Sequence, residues 1–99
     1  MTGYSSTLRK HARLAILRFL EDAPQHTSNA SMLAELLPGV GVVYTRDQIV
    51  TELTWLKDQG FVELDDLGSV LVAEATERGV EIANGVGRHP EIAKRRPGS

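Results

Sequence analysis

The sequence predicts an α+β fold, mainly helical, in which a three-helix core is followed by a two-stranded β-hairpin and a closing helix. Three observations predict it. Apolar residues recur at helical spacing in separate stretches bounded by Pro or Gly. Thr45-Arg46-Asp47-Gln48 has the form of a capping box, which fixes the start of the third helix. Asp65-Asp66-Leu67-Gly68 supplies turn residues between two short β-prone runs, which marks a hairpin.

Taken in order, Thr7 can cap a first helix beginning at Leu8, with Leu8, Ala12, Ala15, Ile16, Phe19 and Leu20 on one face and Pro24 as its bound. Gln25 to Asn29 reads as a polar connection. Ser28 or Asn29 is the cap of a shorter second helix carrying Met32, Leu33, Leu36 and Leu37, and Pro38-Gly39 ends it. Val40 to Tyr44, β-branched and aromatic, reads as a short extended piece. The third helix carries Ile49, Val50, Leu53 and Leu56 as an inward stripe and stops at Gly60, where a left-handed residue is wanted. Phe61, Val62 and Leu64 form one strand and Val70 to Ala75 the other. Thr76 caps a last helix through Val80, Ile82 and Ala83, closed by Asn84-Gly85. Residues 1–84 therefore read as one domain. In residues 85–99 apolar content falls, and Gly and Pro are interspersed among Arg88, Lys94, Arg95 and Arg96, so this stretch reads as a flexible basic tail.

A chain of 99 residues, 41% apolar and 24% charged, supports one core, which excludes a large multi-domain enzyme. The absence of cysteine removes disulfides, thiolate metal sites and a cysteine nucleophile together, and suits a reducing cytoplasm. Met1 to Ala15 holds no apolar stretch of signal-peptide length and no run approaches a membrane span, so the chain is expected to be the mature one and to have no membrane partner. His11, His26 and His89 lack i, i+4 pairing, so no metal site is expected. Gly39-Val40-Gly41 is followed by no Lys-Ser or Lys-Thr and reads as a turn rather than a phosphate loop. Asp65-Asp66 reads as a solvent-facing turn rather than a catalytic pair. No catalytic residue and no cofactor are expected, and an enzyme is the least favoured class.

Helix, helix, short strand, helix, hairpin, helix is the order of a winged helix-turn-helix domain. Thr45 to Leu64, TRDQIVTELTWLKDQGFVEL, resembles the recognition helix and first wing strand of bacterial winged-helix regulators. Thr76-Glu77-Arg78-Gly79 resembles the T-E-x-G that opens their final helix, and the resemblance covers residues 8 to 84. A finer likeness exists as well. His11 to Leu20 together with Thr51 to Leu56 is similar to small winged-helix proteins of Mu-like phages and prophages, often labelled ArsR-like regulators. That resemblance implies a phage-encoded protein, in some cases encoded among morphogenesis or packaging genes. The metal-sensing sites of ArsR-like repressors would need cysteines, which this chain lacks, or histidines in ligand spacing, which its three do not have.

With the apolar stripe turned inward, the outward face of the third helix offers Thr45, Arg46, Gln48, Thr51, Glu52 and Trp55. Arg46 can pair with guanine, Gln48 with adenine, and Thr51 can meet a thymine methyl. In the blander reading Gln48 only completes its capping box and Arg46 is a solvated charge. Formal net charge is −2, unevenly placed: residues 1–20 carry +4, residues 46–59 −1, residues 60–75 −4 and residues 85–99 +3. An acidic wing repels phosphate and departs from the family pattern. Phosphate contact then falls to Arg9, Lys10 and Arg13 of the first helix and to Lys94, Arg95 and Arg96 of the tail, for which simple solubility is the alternative. Two functions follow. One is a cytoplasmic regulator bound to double-stranded DNA, for which a homodimer is expected. The other is a protein-interaction module, an accessory factor in phage assembly or packaging, contacting a phage protein through Trp55 or through the wing at Asp65 and Asp66. Trp55 lies off the main inward stripe, and burial against the wing or first helix is the favoured reading of it, the protein-contact anchor the alternative.

Overall fold

The computed structural model describes residues 3–95. Ala12, Ile16, Leu17 and Leu20 share one face of helix α1 (Gly3–Asp22) and are wholly buried. The helix starts ahead of Leu8, and Thr7 lies within it rather than capping it. After a tight turn at Pro24–His26, in which Gln25 and His26 both take φ of 56°, the chain enters a short strand β1 (Thr27–Asn29). Asn29 then caps α2 (Ala30–Leu36), its Oδ1 accepting the Met32 N–H at 2.8 Å.

The extended piece expected at Val40 to Tyr44 is not a strand. Leu37–Val40 forms a 3₁₀ turn, Gly41 adopts a left-handed φ of 87°, and Val42 N–H donates to the Leu37 carbonyl at 3.1 Å. A bend so tight offers no straight edge to pair. It tucks Val42 into the core and leaves Val43 outside. The strand lies instead in the polar connection: β1 pairs antiparallel with β3 (Leu71–Ala75), Thr27 opposite Glu74 and Asn29 opposite Val72. With β2 (Val62–Asp66) on the other side, the sheet has three strands in the order β1-β3-β2, where the sequence reading gives a two-stranded hairpin and puts its short strand at Val40 to Tyr44 instead.

Both halves of the capping box are made at the start of α3 (Arg46–Asp58). Gln48 N–H donates to Thr45 Oγ1 at 3.1 Å, and Thr45 N–H donates to Gln48 Oε1 at 2.8 Å. Ile49, Leu53 and Leu56 are wholly buried and fix the helix to the core. The hairpin alternates as a half-buried sheet should. Val62 and Leu64, opposite Ala75 and Ala73, join the core, while Glu63, Asp65 and Glu74 are exposed. Thr76 caps α4 (Glu77–Ala83) by accepting the Gly79 N–H at 3.2 Å, and its own hydroxyl donates to the Gly60 carbonyl at 2.7 Å. Glycine is required at position 79, because a Cβ there would collide with the carbonyl oxygen of Phe61.

Residues 85–95 are packed, contrary to the expectation of a flexible tail over residues 85–99. Ile92 is 5% exposed and Ala93 lies against the same cluster, so the core extends past residue 84. The Ala93 N–H donates to the Lys10 carbonyl at 3.1 Å. The physical reason is local: Ile92-Ala93 is an apolar pair set among charged and small residues, enough to seat a segment whose polar neighbours stay in water. Arg96 lies outside the described residues.

Candidate nucleic-acid interface

Burying Ile49, Leu53 and Leu56 turns Asp47, Thr51, Thr54 and Asp58 to solvent, at i, i+4, i+7 and i+11 along the opposite side of α3. The middle line of the open face is therefore two acids and two threonines, with exposed Arg46 and Lys57 beside it. Thr51 Oγ1 donates to the Asp47 carbonyl at 3.1 Å and Thr54 Oγ1 to the Val50 carbonyl at 2.9 Å. Both hydroxyl protons are spent on the helix, which leaves Thr51 its methyl and an accepting oxygen for contact. Gln48 is exposed but its Oε1 already serves the cap, so its amide nitrogen is the group left to donate. Thr45 is likewise exposed with its hydroxyl oxygen accepting at the cap. Arg46 makes no ion pair among the described residues.

Glu52 and Arg13 do not take the outward places expected of them. Glu52 is 5% and Arg13 7% exposed, and Arg13 Nε donates to Glu52 Oε1 at 2.7 Å. A carboxylate three residues after Ile49 and next to Leu53 falls on the seam between α3 and α1. There it needs a cation, and Arg13 supplies the close, buried one, with Arg9 farther off. The same guanidinium lies 3.8 Å from the Trp55 ring centroid, and its Nη1 donates to the Glu91 carbonyl at 3.0 Å. Neither residue is free for base or phosphate. Trp55 is half-buried against the first helix, as its favoured reading has it, and not the exposed anchor of the alternative: beneath Arg13, it also has the His89 ring edge-on at 5.2 Å between centroids. His89 meets Phe61 in the same way at 5.6 Å.

Between α1 and α3 an open groove of about 450 Å³ is lined by Ser5, Leu8, Arg9, Tyr44, Gln48 and Thr51, with the Arg13, Glu52 and Trp55 cluster as its floor. Arg9, with half its side chain exposed, leans toward Glu52 Oε2 at 3.9 Å. Burial raises the Tyr44 phenol above its ordinary value and the Glu52 charge adds to the rise, while Arg9 and Arg13 pull the other way. Lys10 is half-exposed, Lys94 is exposed, and Arg95 is half-buried with its Nη1 donating to the Ala83 carbonyl at 3.1 Å.

The wing is acidic on its surface. Asp65 and Asp66 are exposed, and Asp66 Oδ1 accepts the Gly68 N–H at 2.9 Å, which makes it a turn-forming residue. Leu67 and Val70 stand exposed at the tip. Among the described residues no group of His, Asp and Glu could hold a metal ion, and no helix is long and apolar enough to cross a membrane. Sequence reasoning missed the Arg13–Glu52 pair, His89 and the Glu91 carbonyl. The Ile92-Ala93 pair was the signal that the tail is seated, whereas nothing in the local sequence announces a contact between positions 13, 52, 55 and 89.

These features define a class: a small, mainly helical α+β protein of winged-helix-like fold, with a buried ion pair beside the third helix. Over 90 residues the chain is 32% identical to gp26, an uncharacterized protein of Escherichia phage Mu, covering 91% of this chain and 93% of the phage protein. The chain belongs to the family of that protein, and its origin is phage-associated. A second relative, from Haemophilus influenzae, is 30% identical over 77 residues, covering 77% of this chain and 74% of its own length. No protein-family profile matches the chain, and no solved structure matches it with significance.

Proposed function

We propose that the protein is a cytoplasmic, non-enzymatic DNA-binding protein of winged-helix type, a phage or prophage transcriptional regulator that meets double-stranded DNA through the N-terminal half of α3. The carrying observation is a third helix glued to the core on one side by Ile49, Leu53 and Leu56, with Arg46 exposed at its open end. Arg46 is the base reader in this reading, the Thr51 methyl and the Gln48 amide assist, and Arg9, Lys10 and Lys94 meet phosphates. Glu52, Arg13 and Trp55 are structural, and the acidic wing stays off the duplex. One small domain reads few bases, so a homodimer on paired half-sites completes the proposal.

A second reading is favoured by one specific feature. Leu67 and Val70, exposed at the tip of a hairpin whose other exposed residues include four acids, suit a protein partner with a basic, apolar-centred surface, as in phage assembly or packaging. A salt-titrated binding assay on random and genomic duplexes separates the two. DNA binding predicts affinity that falls with salt, a loss of about 1–3 kcal/mol for Arg46→Ala, and a shallower salt slope by about 2 when Arg9 and Lys10 are both replaced by Ala. No binding at low salt rejects the first reading. A phage-protein complex lost on replacing Leu67 and Val70 with Ser would establish the second.

A further inference from the structure

Residues 86–95 are neither helix nor strand, and what fastens them is concentrated at a few points. Ile92 and Ala93 join the apolar core, whereas Arg88, Pro90, Glu91 and Lys94 are exposed. Val86 and Gly87 root the segment by donating to the Glu81 carbonyl, each at 2.9 Å. Beyond that root, its main-chain tie to another element among the described residues is the bond from Ala93 to Lys10. At its far end Arg95 Nη1 donates to the Ala83 carbonyl at 3.1 Å, and the ties in between gather at the flank of α3. Arg13, already held by Glu52 and lying over Trp55, donates to the Glu91 carbonyl, and His89 stands edge-on to Trp55 and Phe61 while its Nδ1 accepts the Glu91 N–H at 3.0 Å.

A segment with few buried apolar groups and thinly shared hydrogen bonds opens at a lower free energy than the whole fold. What it covers also matters. A helix with its side chains is about 10–12 Å across and the major groove about 12 Å wide, so chain packed along one flank of α3 obstructs its approach to a duplex. We propose that residues 86–95 form a displaceable strap that, when closed, covers Trp55 and hinders the C-terminal half of α3, and that opens as a unit while the core stays folded. The hindrance rests on the DNA-binding reading above; the opening does not.

Trp55 is the sole tryptophan, so its emission reports the strap directly. In the full chain, Ile92→Ser and His89→Ala are expected to red-shift Trp55 emission and raise its iodide quenching constant about three-fold or more, with far-UV circular dichroism unchanged at 25 °C. An unchanged quenching constant, or one that rises only together with loss of helical signal, overturns the strap. With a random-sequence duplex at fixed low salt, both variants are expected to bind several-fold tighter than the parent. Opening without tighter binding overturns the hindrance. Binding by neither parent nor variant removes the DNA reading and the hindrance with it, while the quenching result still decides whether the strap opens.

Discussion

Removing either partner of the Arg13–Glu52 pair should be among the most damaging single changes available. Side-chain exposures of 8% and 7% put both charges out of water, and the 2.7 Å contact is the main compensation each receives. Breaking a buried pair from one side costs about 3–5 kcal/mol, because the charge left behind has no comparable partner. Arg13→Met also forfeits the indole contact and the bond to the Glu91 carbonyl, worth about 1 kcal/mol or more each, and so belongs at the upper end. Glu52→Leu leaves Arg13 with the carbonyl and Trp55 and belongs at the lower. Domains of this size are stable by about 5–15 kcal/mol, so either single change lowers the melting midpoint by about 12 °C or more. The double variant Arg13→Met/Glu52→Leu should recover most of that loss, since a well-packed apolar pair often matches a buried ion pair. Urea titration of the four proteins gives the coupling energy directly. Single variants costing less than about 1 kcal/mol, or a double variant as unstable as the sum of the singles, would refute the assignment of this pair as buried and mutually dependent.

Two further outcomes follow from geometry. Gly79→Ala should destabilise by about 1–3 kcal/mol through the clash with the Phe61 carbonyl, while Gly39→Ala, with nothing within 4 Å of the added methyl, should move the urea midpoint little. Equal effects at both positions would remove the close-approach argument. Glu74→Lys replaces a like charge directly opposite Glu63 with an opposite one, so the thermal midpoint should rise by a few degrees, for a gain of about 0.2–1 kcal/mol; a fall would show that the pair does not interact as the register implies.

The parts of the fold legible in the sequence are those fixed by neighbours a few residues apart. The capping box at Thr45, the Asn29 and Thr76 caps, the stop at Gly60 and the hairpin turn at Gly68 are each set by local chemistry, and the structure has all of them. Long-range pairing was not legible. Thr27-Ser28-Asn29 has no apolar alternation, and it is a strand because β3 offers an edge there, whereas the more β-prone Val40 to Tyr44 has no edge beside it. The candidate site divides the same way. Helical periodicity correctly turned Arg46, Gln48 and Thr51 outward, but position 52 lies on the boundary of the stripe, and only the arrival of α1 with Arg13 decides that it is buried.

The pairing of Thr27 with Glu74 has a consequence during synthesis. The second hairpin strand is the middle strand, so until Glu74 has left the ribosome the first strand has no neighbour and the growing polypeptide holds helices without a closed sheet. Ile92 takes its seat later still, so the interior is completed by a residue made after all three strands.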